Sequence, residues 1–166
     1  MPTVPPEFRS TFERYLEGPR RVREAVLGVD ARALNERPPG GDWSIRDVLL
    51  HLVDAELVRS VRLRRIIAEE EPELEPFDQE LWQRRLQYLW RDPELALALL
   101  DLLVRTNAEL VHQSGRDGWR RSGQHAERGR VTVADLLEAG ARHFEEHVAQ
   151  IAATRARVRG ARAPLL

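Results

Sequence analysis

Apolar residues recur at steps of three and four in four long segments of the chain, the spacing of helices with one buried face. The first segment runs from about Glu7 to Val26. Its apolar positions are Phe8, Phe12, Tyr15, Leu16, Val22 and Val26. Gly18-Pro19 falls inside this segment, so we expect the helix to be kinked or split there, because proline lacks a backbone donor and crowds the preceding turn.

The second segment carries a clear signal at its start. Ser44 is followed three residues later by Asp47, a variant of the capping box, in which each side chain bonds the backbone N–H of the other residue. The helix is predicted from about Ile45 to Ala68, and the acidic run 69–71 before Pro72 ends it. Its apolar stripe is Val48, Leu49, Leu52, Ala55 and Val58.

A shorter helix is predicted at about residues 78–90, before the third long segment. Asp92 then precedes Pro93, the pattern of an N-cap followed by proline in the first turn. The third long helix is predicted to run from there to His112 or Gln113.

The fourth long helix opens on the same capping pattern as the second. Thr132 is followed three residues later by Asp135, and the helix is predicted to reach about residue 158. The glycine- and arginine-rich segment 116–130 before it is predicted to be a loop, and the tail 160–166 to be frayed.

Four long helices joined by modest loops predict an all-α fold, a four-helix bundle with a short extra helix in one connection. No segment alternates polar and apolar residues convincingly with period two, so we expect no sheet. The length of 166 residues is typical of one domain, and a single domain over residues 1–166 is predicted.

The composition excludes several kinds of chemistry. The chain has no cysteine, which rules out disulfides, thiolate zinc sites, iron–sulfur clusters and a cysteine nucleophile. All 26 basic side chains are arginine, so Schiff-base chemistry and a P-loop lysine are excluded. The 27 acidic side chains bring the net charge to −1, whereas nucleic-acid-binding proteins usually carry a basic excess.

The first six residues show no basic start followed by an apolar run, and no uncharged apolar stretch is long enough to cross a bilayer. We therefore expect a cytoplasmic protein that does not bind a membrane.

Two histidines stand four residues apart in the fourth helix. His143 and His147 would lie about 6 Å apart along the helix axis, on one face, where two imidazoles can share a metal ion. They continue the stripe of Leu136 and Ile151, so they face inward, and Gly140 one turn earlier leaves room for a close neighbour.

His51 falls beside the apolar stripe of the second helix. Three imidazoles facing one interior would be costly, at about 1–3 kcal/mol for each unpaired nitrogen, unless one group satisfies them together. A divalent metal does so, and three protein ligands leave a coordination position open, as in catalytic sites. Asp54, one turn beyond His51, is a candidate partner that orients an imidazole, or an extra ligand.

Other interpretations of these histidines remain open. An inward histidine is often a core residue whose hydrogen bonds are satisfied, without any metal. His112 fits a helix C-terminus, where the dipole favours it. His125 fits a loop, close to the mouth of the site.

Two segments resemble the DinB-like superfamily of metal-binding four-helix bundles. Residues 43–56 read WSIRDVLLHLVDAE, similar to the family's second helix, which opens after a tryptophan and carries His-Leu-x-Asp-x-Glu. Residues 129–137 read GRVTVADLL and residues 143–151 read HFEEHVAQI, similar to the family's Gly-x-x-Thr-Leu-x-x-Leu-Leu and its His-x-x-x-His with a Gln-Ile ending. Glu145 and Glu146 depart from the more basic or histidine-rich residues of the family.

The resemblance implies an up-down-down-up bundle in which His51, His143 and His147 hold a divalent metal, zinc or nickel. It also implies a homodimer. For activity it favours a metal-dependent thiol S-transferase acting on small electrophiles, with a low-molecular-weight thiol as co-substrate. The alternatives are a metal-dependent hydrolase and a non-catalytic stress-response or interaction protein with a structural metal site.

Nucleic-acid binding is a further alternative. It would use the 116–130 segment together with arginines of the second helix. These are Arg59, Arg62, Arg64 and Arg65. Because the net charge is balanced, we favour the interpretation that these arginines form a solvent-exposed helix face. We therefore expect a small-molecule substrate and no nucleic acid.

Overall fold

The computed structural model describes residues 4–161, with side chains through residue 158. Its helices are α1 (Arg9–Val26), α2 (Ala31–Asn35), α3 (Ile45–Ala68), α4 (Gln79–Arg85), α5 (Pro93–Gln113), α6 (Gly115–Arg120) and α7 (Val133–Ala161). Single 3-10 turns stand at Pro6–Phe8 and Tyr88–Trp90. Of the predicted frayed tail, residues 162–166 lie outside the described residues, as do residues 1–3 at the start.

The long helices α1, α3, α5 and α7 form a four-helix bundle in which α1 and α3 each pack against both α5 and α7. Contacts along the chain give the direction of α7. Thr11 donates to Glu138 at one end of α1, and Arg155 donates to the carbonyl of Ala25 at the other, so α1 and α7 are parallel.

Helix α3 runs opposite to α7 and parallel to α5. Arg59, eight residues after His51, bonds the carbonyl of Leu136, whereas His51 itself meets α7 further along, at His143. At the two ends of the α3–α5 pair, Arg46 bonds the carbonyl of Arg91 and Arg64 bonds Asn107. The predicted up-down-down-up four-helix bundle is therefore confirmed.

The predicted capping signals form as hydrogen bonds. Asp47 N donates to Ser44 Oγ at 3.1 Å, while Ser44 N donates to Asp47 Oδ2 at 3.0 Å. Asp92 Oδ1 accepts from the backbone N–H of Glu94 at the start of α5. Thr132 and Asp135 repeat the reciprocal pair at the start of α7. These bonds set the start of α3, α5 and α7 where the sequence placed them.

A kink or a split was predicted at Gly18-Pro19, and the split is wrong, because helix α1 is continuous through Pro19. Gly18 and Pro19 are both buried. A Cβ at Gly18 would lie only 2.1 Å from the ring of Phe144. The missing side chain therefore lets α1 and α7 approach closely, and this packing stabilises the helix across the proline.

The expectation of no sheet was also wrong. Within residues 4–161, three short strands form one sheet in the order β1 (Glu73–Leu74), β2 (Ser122–His125) and β3 (Gly129–Thr132). β1 and β2 are parallel, and β2 and β3 are antiparallel. Gly123 permits this pairing, because a Cβ there would lie 2.7 Å from the carbonyl oxygen of Pro72.

The segment 116–130, which was predicted to be a loop, thus consists mostly of regular secondary structure, namely α6 and the β2–β3 hairpin. Strands of two to four residues are too short to show alternation, and they form through pairing with a distant part of the chain. The predicted short helix at about 78–90 is shorter than expected, because Gln87 takes a left-handed φ of 48° after α4. Helix α2 was not predicted.

A buried polar network lies between the helices of the bundle. Glu56, 1% exposed, accepts hydrogen bonds from the Tyr15 hydroxyl, from Asn107 Nδ2 at 2.9 Å and from Arg59 Nε at 2.9 Å. Asn107 also donates to Ser60. The network joins α1, α3 and α5, and its Glu56 lies five residues after His51 on α3.

No helix among residues 4–161 combines the length and the apolar character needed to cross a membrane.

Candidate metal centre

Three imidazoles meet between α3 and α7. His143 Nε2 lies 3.0 Å from His51 Nε2 and 2.9 Å from His147 Nε2. One ring nitrogen of each histidine lies within 4.8 Å of those of the other two. His51 is buried, and the other two are partly buried. The structure thus brings together all three residues that the sequence predicted as metal ligands.

The close neighbour predicted at Gly140 is present. A Cβ there would lie 3.0 Å from the ring of Tyr15 and 3.0 Å from Arg59 Nε. The glycine lets α7 approach the buried network of α1 and α3, one turn from His143.

Gln150 holds the orientation of His147. The Nδ1–H of His147 donates to Gln150 Oε1 at 2.6 Å, which leaves the Nε2 lone pair directed at His143. A hydrogen bond of this kind fixes the tautomer and ring orientation of a metal-binding histidine. Gln150 was not predicted as a site residue, although its position three residues after His147 on one helix face was a usable signal.

Asp54 was expected to orient an imidazole, but it does not. Its carboxylate accepts from the Tyr88 hydroxyl at 2.6 Å and from Arg91 Nη1 at 3.1 Å. These partners lie in the 3-10 turn and just after it, so the carboxylate ties that turn to α3. His51 Nδ1 is buried and has no hydrogen-bond partner among the described side chains and backbone.

Aromatic rings hold His51 instead. The Trp43 ring packs edge-on at a centroid distance of 5.1 Å, and the Phe77 ring stacks at 6.1 Å. Such rings limit rotation of the imidazole and remove water from around it.

Burial keeps the three imidazoles neutral. It lowers the pKa of His51 to about 4, with a further contribution from the charge of His147. It lowers the pKa of His143 to about 2, with contributions from His147 and Arg59. The pKa of His147 is also lowered by burial, against the opposing effect of Gln150. Neutral imidazole is the form that binds a metal.

These shifts predict that the metal-free protein loses stability as the pH falls from 7 to 5. In that range a histidine of the unfolded chain takes up a proton, whereas folded His51 and His143 stay neutral. The unfolded state therefore binds more protons, and its free energy falls relative to that of the folded state. The loss is about 2 kcal/mol for each of these two residues at pH 5. Urea unfolding in the presence of a chelator measures it.

The variant that replaces both His51 and His143 by glutamine is the control for this prediction. Its loss of stability between pH 7 and pH 5 should be smaller by about 3–4 kcal/mol. An equal loss in both proteins would contradict the assignment of the effect to these imidazoles.

The donor set fits a divalent metal ion. His147 Nε2 presents a lone pair, and His143 Nε2 can share at most one proton with one of its two neighbours. The other nitrogen contact is then left without a hydrogen bond of its own, which is unfavourable for two buried polar atoms this close. A cation satisfies all three nitrogens at once, and imidazole is a common ligand of zinc, copper, iron and nickel.

A pocket of about 270 Å³ opens beside the cluster and is lined by His51 and His143. It gives a small molecule access to the histidines. Glu146 also lines it and pairs with Arg142 at 3.6 Å, whereas Glu145 turns to α1 and pairs with Arg14 at 2.9 Å.

The other two histidines lie outside the cluster. His112 stands in the last turn of α5, as predicted. His125, predicted in a loop, ends β2 and is buried, and its Nδ1 accepts from the backbone N–H of Glu127. Arg64 and Arg65 of the proposed nucleic-acid patch bond Asn107 and Glu69 respectively.

Comparison with known proteins agrees with the resemblance. A model of the DinB superfamily matches residues 14–151. A protein of Oceanobacillus iheyensis named "Putative metal-dependent hydrolase" is 26% identical over 133 residues, which cover 80% of this chain and 77% of that relative. A Bacillus cereus protein of the same name is 24% identical over 140 residues, covering 84% and 80%.

A solved structure shares the fold. YfiT from Bacillus subtilis, described as a probable metal-dependent hydrolase with an unusual four-helix bundle topology, matches with a TM-score of 0.85 at 24% identity. The match covers 93% of this chain and 90% of that one. The match to the family model spans most of the chain and includes all three histidines of the cluster. The chain belongs to the DinB superfamily.

Proposed function

We propose that this protein is a metal-dependent hydrolase whose divalent ion is held by His51, His143 and His147. The observation that carries the proposal is the convergence of three Nε2 atoms beside an open pocket. The names of the relatives, which refer to metal-dependent hydrolysis, support the reaction class.

The chain's own residues prepare this site. Burial keeps His51 and His143 in the neutral form, and Gln150 leaves the Nε2 of His147 free to bind. A divalent ion bound there would act as a Lewis acid, which polarises a carbonyl or phosphoryl oxygen and lowers the pKa of a water bound to it. Three protein ligands are typical of catalytic zinc sites, because they leave room for substrate. Zinc and nickel are the ions we propose.

Transfer of an external low-molecular-weight thiol is the second candidate. The observation that favours it is the set of arginines around the pocket, because nearby positive charge lowers a thiol pKa and stabilises the thiolate. The chain has no cysteine of its own to serve as the nucleophile.

Metal analysis and a hydrolysis assay test the proposal. Protein purified without an affinity tag is incubated with zinc or nickel, desalted and analysed for bound metal. We expect about one equivalent, and less than about a tenth would overturn the proposal. Metal-loaded protein should hydrolyse para-nitrophenyl acetate without added thiol, and metal-free protein should not. Reaction only when a thiol is added would favour the second candidate.

The homodimer, the cytoplasmic location and the stress-response role stay predictions from the sequence. A non-catalytic protein with a structural site is the outcome indicated if metal binds but neither hydrolysis nor thiol transfer is detected.

A further inference from the structure

Four guanidinium groups surround the pocket beside the histidines, which we call the arginine pocket. It is lined by Arg59, Arg62, Arg128 and Arg142. Glu146 is the one carboxylate in its lining among the described residues. The pocket therefore carries an excess of positive charge, although the whole chain has a net charge of −1.

Three separate elements supply these arginines. Arg59 and Arg62 lie one turn apart on α3, Arg142 directly precedes His143 on α7, and Arg128 comes from the turn between β2 and β3. The fold therefore brings the charges to the mouth of the histidine cluster from different parts of the chain. A solvated face of one helix would not produce this arrangement.

Partners within the chain do not neutralise all of this charge. Arg128 makes no hydrogen bond or ion pair with a residue in the described part of the chain. Arg62 bonds the carbonyl of Glu75, a neutral group, and its Nε is buried without a partner among the described residues. A buried donor without a partner is uncommon in folded proteins, and a bound anion or water would satisfy it.

The neighbouring charges also act on one another. Burial lowers the pKa of Arg62, and the charges of Arg128 and Arg59 lower it further. An anion in the pocket would relieve this repulsion.

We propose that the arginine pocket binds an anionic group of the substrate, a carboxylate or a phosphate, while the bond to be cleaved lies at the histidines. This inference rests on the proposed function, because it names the substrate class of the same site. Guanidinium groups present paired N–H donors that match the oxygens of both anions. The substrate is thus a small anionic ester or amide, and hydrolysis adds water across that bond to release a carboxylic acid and an alcohol or amine.

A binding experiment tests the pocket without relying on activity. Glutarate and inorganic phosphate are titrated by calorimetry into metal-free and zinc-loaded protein at low salt. We expect binding in both forms, and the anion with the higher affinity identifies the group. The proposal would be overturned if neither anion bound to the metal-free or to the zinc-loaded protein.

Arg128→Gln and Arg130→Gln make a matched pair of variants. Both residues are exposed arginines of the same hairpin, but Arg130 lies outside the pocket and bonds Ser122. We expect Arg128→Gln to weaken anion binding on the order of tenfold and Arg130→Gln by less than about twofold. Equal effects of the two variants would contradict anion binding in the arginine pocket. They would indicate only a general electrostatic attraction of the anion to the positively charged surface.

A kinetic comparison separates this inference from the proposed function. The zinc-loaded protein is given mono-para-nitrophenyl glutarate and the neutral para-nitrophenyl butyrate. We expect a higher kcat/KM for the anionic ester, and Arg128→Gln should reduce that preference through KM. Hydrolysis of both esters with equal kcat/KM would overturn the substrate class and leave the hydrolase standing. Arg128-dependent glutarate binding without any hydrolysis would support the pocket and overturn the hydrolase.

Discussion

Replacing His143 by alanine is expected to lower the affinity for zinc by more than about a thousandfold and to abolish hydrolysis. His143 is the central member of the cluster, since its Nε2 lies within 3.0 Å of both other Nε2 atoms. Two ligands, from His51 and His147, would remain. Calorimetric titration of zinc into chelator-treated protein, followed by a hydrolysis assay, measures both effects.

His112→Ala is the control for this prediction, because His112 lies in the last turn of α5 and outside the cluster. The control should bind zinc and turn over as the parent protein does. Circular dichroism should show that His143→Ala keeps its helices, since the imidazoles of the metal-free cluster add little attraction. A sharp fall in Tm of the metal-free variant, with zinc binding retained, would indicate a structural role for His143.

Replacing Glu56 by alanine is expected to lower the free energy of unfolding by about 3–5 kcal/mol. The Glu56 carboxylate is 1% exposed and accepts from Arg59, Asn107 and the Tyr15 hydroxyl. Its removal leaves the guanidinium of Arg59, whose side chain is 11% exposed, without a buried counter-charge. Urea unfolding of the metal-free protein at pH 7 measures the loss.

Glu69→Ala is the matched control for the Glu56 variant. Glu69 pairs with Arg65 at 3.0 Å at the end of α3, but its side chain is 48% exposed. Water and salt screen such a pair, so its removal should cost less than about 1 kcal/mol. Losses of similar size in the two variants would contradict the buried-pair argument.

A double replacement separates charge from packing at the same position. Glu56→Leu with Arg59→Leu removes both charges and keeps apolar volume in their place. Replacing a whole buried ion pair by apolar side chains is often neutral. The double variant should therefore recover part of the stability that Glu56→Ala loses, while anion binding in the arginine pocket should weaken.

The helix starts were predictable because the interactions that set them are local. Each cap joins residues three apart, as between Ser44 and Asp47 or Thr132 and Asp135, so the relevant atoms lie next to each other in the sequence. The prediction failed where a distant contact decided the outcome. Pro19 stays inside α1 because Gly18 packs against Phe144, which is more than a hundred residues away.

The candidate site divides in the same way. The placing of His143 and His147 on one helical face follows from their spacing of four, and the resemblance to a family joined His51 to them. Only the antiparallel packing of α3 against α7 brings the three Nε2 atoms together. From its spacing, Asp54 was predicted to bond an imidazole, but its carboxylate accepts hydrogen bonds from Tyr88 and Arg91 instead.

The sequence by itself determined the four long helices, the absence of thiol and lysine chemistry and the pair of imidazoles on α7, because periodicity, composition and short spacings are local properties. Only the tertiary structure decided the strands, the partner of Asp54 and the arginine pocket. Arg128 lies near Arg62 because the β2–β3 hairpin pairs with β1, a contact between segments about fifty residues apart. A pairing over that distance depends on how the whole chain packs, and no short stretch of residues encodes it.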